Sequence, residues 1–196
     1  MSRHGTLRRL IADARGATLV EFAIVAPVMC GLIVGVFDLG YRTYVTSIVQ
    51  GSLHEAARMA TVGNVSTATI EAHVRSRLRE FSSDATIETT TQSYSDFNGV
   101  AVPEPITQDT APTGRYNPGD CFSDINGNGT YDTDRGRGGM GGAEDVVRFQ
   151  VRMVYPRLFP VASFFGASEN VEVVRNTVLR NQPFAGRNTA TPATIC

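Results

Sequence analysis

The chain has 196 residues, a formal net charge of −1 and a hydrophobic share of 42%. That length suffices for one ordinary domain plus a membrane segment. Its arginines are scattered and lysine does not occur, so no basic face calls for nucleic acid. There is no H-E-x-x-H, phosphate loop, nucleophile elbow or CxxC, and no enzyme class is indicated.

Residues 1–16 form a basic leader, in which Arg3, Arg8, Arg9 and Arg15 stand against Asp13 alone. From Ala17 to Phe37 run about 21 residues, enough for a helix across the hydrocarbon core, and their only ionisable groups are Glu21 and Cys30. The positive flank predicts a cytoplasmic N-terminus and export of everything after Asp38. A cleavable secretory signal fits poorly, because no A-x-A-like site follows the apolar run. A lipoprotein would acylate Cys30, yet Met29 precedes it where a small residue is wanted. A buried helix of a soluble protein is the remaining alternative. Glu21 is the residue to explain. An acid at the bilayer centre costs roughly 2.5–3.5 kcal/mol on the insertion scale, which makes it a functional candidate; the bland alternative is that it snorkels to the headgroups.

The helix is expected to continue to about residue 63. Tyr44, Val45, Ile48, Val49, Leu53, Ala56, Ala57 and Ala60 recur at three- and four-residue spacing, and Gly63-Asn64 is a stop signal. Pro27 should loosen one turn, which a membrane helix tolerates. A second helix is expected over residues 67–81, capped by Ser66 or Thr67, with Ile70, Val74, Leu78 and Phe81 on its apolar edge. His54 on the first helix is read as a surface or half-packed histidine, His73 on the second has no evident partner, and "RSRLRE" is read as a solvated face.

Strands follow. "ATIETTTQSY" has an extended bias, Val147, Phe149, Val151, Met153 and Tyr155 alternate with polar residues, and "NVEVVRNTVLR" is a third candidate. The expected fold class is α+β: a long N-terminal helix, half transmembrane, packed with a second helix against a small antiparallel sheet. The exported domain spans residues 64–183, and 184–196 is a C-terminal tail expected to be loose. The apolar stretch "PRLFPVASFFG" is expected in the core rather than as an exposed patch.

Residues 97–145 form a long insertion rich in Gly, Asn and Asp, a length usually functional or disordered. Within it, Asp124, Asn126, Asn128, Thr130 and Asp132 occupy positions 1, 3, 5, 7 and 9 of a calcium loop of the EF-hand type, with Gly129 at position 6. Position 12, where a bidentate acid belongs, is Arg135; Asp134 comes one residue early, and Glu144 or Asp145 could fold back. Calcium binding and a polar turn closed by its own Asx side chains both remain open. "RGRGGMGG" reads as a flexible linker. Cys121 and Cys196 are the cysteines outside the span, and an oxidising compartment favours a bridge between them. It would close a loop of roughly 75 residues, worth about 4 kcal/mol on the chain-entropy account. Cys30 is a small apolar filler.

Two stretches carry a family resemblance. Arg15-Gly16 followed by Ala17-Thr18-Leu19-Val20-Glu21-Phe22 resembles the type IV prepilin pattern, in which a basic leader ends in glycine and the fifth mature residue is glutamate. "VEFAIVAPV" and "NGNGTYDTDRGRGGMGGAEDVVRFQVRMVYPRLFP" resemble TadE-like pseudopilins of tight-adherence pilus systems. The resemblance implies cleavage after Gly16 by a prepilin peptidase, leaving a free amine on Ala17. Four residues separate that amine from Glu21, so both share one helix face. In an assembled bundle the carboxylate is expected to meet a neighbour's amine. At 4 Å and an effective dielectric near 20 the attraction is about 4 kcal/mol before desolvation, and a lone buried charge penalises a misplaced subunit.

The function expected is that of a structural minor pilin or pseudopilin in the bacterial inner membrane, single-pass, with a periplasmic C-terminal domain. Its implied partners are other pilin or pseudopilin subunits, the prepilin peptidase and the assembly platform. The rival is an uncleaved, membrane-anchored periplasmic calcium-binding or adhesion module. Calcium is the one candidate cofactor, and no enzymatic activity is expected.

Overall fold

The computed structural model describes residues 16–62, 65–159, 163, 166, 168–182 and 191–196. The leader through Arg15 and the stop signal Gly63-Asn64 lie outside the described residues. The first helix, α1, spans Ala17–Val62 without a break at Pro27. The chain divides into two units, one holding α1 up to Tyr44 together with Arg157–Glu169, the other Val45–Pro156 with Asn170–Cys196.

In the first unit the apolar half of α1 is exposed among the described residues. Leu19, Phe22, Ile24, Val28, Leu32 and Val36 are each more than 60% exposed, and no residue of the helix's most apolar window is buried. The helix is long and apolar enough to cross a membrane. A helix apolar all round is stable only when covered by lipid or by other protein, and among the described residues nothing buries this one. The Arg157 side chain joins the carboxylate of Asp38 and donates through Nε to the Ser168 carbonyl at 2.8 Å. Leu158 and Phe159 are exposed, contrary to the expected core placement. The rest of that stretch, apart from Ser163 and Gly166, lies outside the described residues.

In the second unit the periodicity of α1 becomes one-sided: Val45, Val49, Leu53 and Ala56 are buried, whereas Tyr44, the last helix residue of the first unit, is exposed. The second helix, α2, spans Thr67–Phe81; the Ser66 hydroxyl caps it by accepting from the Thr69 N–H at 3.2 Å. Its stripe Ile70, Val74 and Leu78 is buried. His73 Nε2 lies 3.0 Å from Glu55 Oε1, at ion-pair distance but without hydrogen-bond alignment. Arg75 and Arg77 of the basic run are also paired, with Glu71 and with Glu80 and Glu55.

The second helix adjoins a four-stranded antiparallel sheet. Its strands are β1 (Thr86–Tyr94), β4 (Arg137–Gly138), β5 (Val146–Pro156) and β6 (Asn170–Arg180), in the order β4-β1-β5-β6. Val147, Phe149, Val151, Met153 and Tyr155 of β5 alternate inward, each at most 4% exposed, with Val171 and Val173 of β6 beside them. Glu71 and Arg75 of α2 reach Thr91 and Thr89 of β1 at 2.9 and 2.8 Å, tying helix to sheet.

The insertion is less bare than its composition suggests. After a 3₁₀ turn at Phe97–Gly99 come β2 (Ile106–Gln108) and β3 (Cys121–Asp124); β3 pairs antiparallel with β2 on one side and with β7 (Ala193–Ile195) on the other, a second sheet of order β2-β3-β7. The end of the expected loose tail is therefore a strand. Its register sets Phe122 against Ile195 and Asp124 against Ala193. Strands of three or four residues carry too little periodicity to be read locally, and this pairing joins segments distant in the chain.

Candidate functional site

Two places collect the predicted site residues. The first is the start of α1. Gly16 is exposed, with open space where a Cβ would project, and Ala17 opens the helix. Ala17 and Glu21 are both exposed, one turn apart on the same face. Among the described residues no cation pairs with Glu21, which stands on an apolar stretch of exposed side chains. Such a charge is stabilised by water, by headgroups or by an amine from elsewhere.

The second place is the loop after β3, where Asp124, Asn126, Asn128, Thr130 and Asp132 are brought together. The Asp124 carboxylate is 4% exposed and accepts from the N–H groups of Gly127 (2.7 Å), Asn128 (3.2 Å) and Gly129 (2.9 Å). Gly127 and Gly129 each have φ +80°, the left-handed conformation this tight winding needs. Asn126 and Asn128 both donate through Nδ2 to Asp132 Oδ2, at 2.7 and 2.5 Å. The Asn128 amide oxygen accepts from the Thr130 N–H and hydroxyl, each at 2.8 Å.

The residue missed from sequence is Glu104. It is 2% exposed and clamps both ends of the loop: Oε1 accepts from the Ile125 N–H at 2.7 Å and Oε2 from the Asp132 N–H at 3.1 Å. Its own N–H donates to the Asp132 carbonyl at 3.0 Å. The local signal was an acid between two prolines in "VPEPI", which reads as loop. Arg135, at the twelfth position, turns away from the loop, its guanidinium against Gly99. Of the other candidate closing acids, Asp134 accepts from the Tyr94 hydroxyl at 2.9 Å and pairs with Arg148 at 3.2 Å. Asp145 accepts from the Gly142 N–H at 2.7 Å, and Glu144 faces Arg180 at 3.6 Å.

The loop is anchored from outside as well. Tyr131 stacks on Tyr116 with ring centres 4.1 Å apart, and both meet Phe122 of β3 edge-on. Beside β3, Asp120 accepts from the Thr110 hydroxyl and N–H and from the Asn117 N–H, and these hydrogen bonds, Thr110's foremost, hold its carboxyl below the ordinary carboxylate range. Cys121 and Cys196 are joined by a disulfide across 75 residues of sequence, next to the β3–β7 pairing.

Chemically the loop offers only hard oxygen donors, the set suited to calcium. In the arrangement seen, the loop's own N–H groups engage the Asp124 carboxylate, and both Asn amides turn nitrogen toward Asp132. A cation would need those amides turned over. Among the described residues no group of three or more His, Cys, Asp or Glu side chains converges to hold a metal.

Residues 16–58 match the TadE-like protein family, in agreement with the resemblance read from the sequence. The match opens at Gly16 and covers the apolar half of α1, Glu21 and most of the buried stripe. With the one helix among the described residues that is long and apolar enough to cross a membrane, it fits a membrane-anchored, pilus-associated protein. No curated protein and no solved structure matches the chain.

Proposed function

We propose that the chain is a structural minor pilin or pseudopilin of a tight-adherence type pilus. It is held in the bacterial inner membrane by residues 17–37 and cut after Gly16, with the domain after α1 exported to the periplasm. The observation that carries this reading is the bare apolar half of α1, within a segment similar to TadE-like proteins from Gly16 onward. Lipid covers such a helix before assembly and neighbouring helices cover it afterwards. Gly31 and Gly35, four apart with open space at each Cβ position, allow a neighbouring helix to come close. In the filament Glu21 answers the amine of Ala17 from an adjacent subunit and so selects axial register. Its partners are other pilin subunits, a prepilin peptidase and the assembly platform.

The test is the N-terminus of the mature chain from its native host. An amine on Ala17 is the expected result. A functioning protein that begins at Met1 or Ser2 would favour the rival reading, a permanently anchored module.

Calcium is a separable part of the proposal. The order of oxygen donors from Asp124 to Asp132, with a positive-φ glycine in sixth place, supports a cation site. With two carboxylates and no closing acid, it belongs at the weak end of such loops, about 10⁻⁴–10⁻³ M.

A further inference from the structure

The four-stranded sheet ends on one side in β4, which is two residues long, and on the other in β6, which is eleven. Among the described residues nothing pairs with the outer side of β6, so a long row of backbone donors and acceptors faces outward, a template for another strand. The outward-facing residues Glu172, Val174, Asn176, Val178 and Arg180 are all exposed, the two valines at 38% and 39%.

The strand is chemically palindromic about Asn176. In an antiparallel pair each residue faces one of the same sheet face, so a two-fold axis must pass through a residue. Centred on Asn176, the pairing sets Glu172 opposite Arg180 twice, Val174 opposite Val178 twice, and Val173 opposite Leu179 twice. Centred on Arg175, Glu172 would face Val178; centred on Thr177, Arg180 would face Val174. Only the Asn176 register puts opposite charges together and valine against valine, the cross-strand combinations that stabilise a ladder. The charges are already half of a network: Glu172 is bonded to Arg152 at 2.8 Å and Arg180 lies 3.6 Å from Glu144. A second copy would join the two ion pairs into one row.

We propose that β6 is a self-association edge, pairing antiparallel with β6 of a second copy of this chain about Asn176 to make a continuous eight-stranded sheet. The Val174 carbonyl, which now accepts from the Arg175 side chain at 2.7 Å, takes the Val178 N–H of the second copy instead. Strand pairing alone buries a small area and makes a weak contact, one that suits subunits concentrated in the plane of a membrane. The inference stands whether or not the chain enters a filament.

The test is cysteine cross-linking of the full chain in membranes, on a Cys30→Ser background. In the proposed register Asn176→Cys faces itself at bridging distance, about 5.5 Å between Cα atoms. Val174→Cys lies about 14 Å from its own copy, beyond reach, but directly opposite Val178→Cys. Asn176→Cys should therefore form a covalent dimer and Val174→Cys alone should not, whereas mixed Val174→Cys and Val178→Cys chains should link to each other. No dimer from Asn176→Cys in a chain that keeps its Cys121–Cys196 bridge overturns the proposal. So does equal linking of Val174→Cys alone, the mark of random collision.

Discussion

The guanidinium of Arg157 meets the carboxylate of Asp38, 119 residues away in sequence, at the end of the apolar run of α1. Both side chains are about four-fifths covered, with 20% and 19% exposure, so the pair is neither a solvated surface contact nor a fully dry one. The same arginine holds the segment's own turn: its Nε donates to the Ser168 carbonyl and its N–H to that of Glu169. Removing either partner leaves a largely covered charge unanswered, at a cost of roughly 1–3 kcal/mol. Arg157→Ala should therefore raise amide exchange and proteolytic cutting between residues 157 and 169 while the β1–β5 ladder keeps its protection. Uniform loss of protection across the sheet would show that the arginine acts on the whole domain.

Glu21 is a different kind of charge, exposed in the subunit and without a cationic partner among the described residues. On the proposed function, Glu21→Ala should leave membrane insertion and the proposed cleavage after Gly16 intact and should reduce incorporation into pili tenfold or more. That reduction is within about 4 kcal/mol, the attraction available to the pair. Surface pili quantified by shearing and immunoblot give the measure, and wild-type levels would end the pairing account.

What could be read from sequence divides along the length over which the signals act. Val45, Val49, Leu53 and Ala56, the alternation of β5 and the whole of β6 were visible because each pattern lies inside one element. The second sheet was not. Its strands are short, and β3 finds β7 only through a pairing from Phe122 to Ile195. Glu104 was invisible for the same reason: its importance lies in meeting Ile125 and Asp132, which no local spacing encodes. Composition alone puts "PRLFPVASFFG" in the core. Leu158 and Phe159 instead stand exposed, beside a residue committed to an ion pair.

Asp120 predicts an acid-sensitive insertion. Hydrogen bonds from Thr110 first, then Asn117, hold its carboxyl below the ordinary value in the folded chain. A group depressed on folding contributes stability at pH above its unfolded value, near 4, and that contribution fades as pH falls through the folded value. The segment from Thr110 to Cys121 should thus open below about pH 4, seen as faster amide exchange there. Asp120→Asn should be destabilised at neutral pH and should lose less stability than wild type on acidification. An unchanged acid response in that variant would show that other carboxylates set it.

Calcium gives the most direct test of the loop after β3. If the ion binds with a dissociation constant near 1 mM, then 10 mM calcium stabilises the folded chain by about 1.4 kcal/mol, a rise of a few degrees in melting temperature for a domain of this size. Asp124→Ala with Asp132→Ala should abolish that rise. It should also lower the melting temperature in the absence of calcium, because the Asp124 carboxylate satisfies three N–H groups of the loop by itself. Glu104→Gln separates the two roles. Its amide oxygen can accept from only one of the Ile125 and Asp132 N–H groups, its NH2 faces the other, and a negative charge is removed, so it should lower calcium-free stability while keeping most of the calcium response. Magnesium, smaller and strict in its octahedral demands, should give much less. A wild-type melt indifferent to 10 mM calcium would leave the loop as a turn closed by its own side chains and by Glu104.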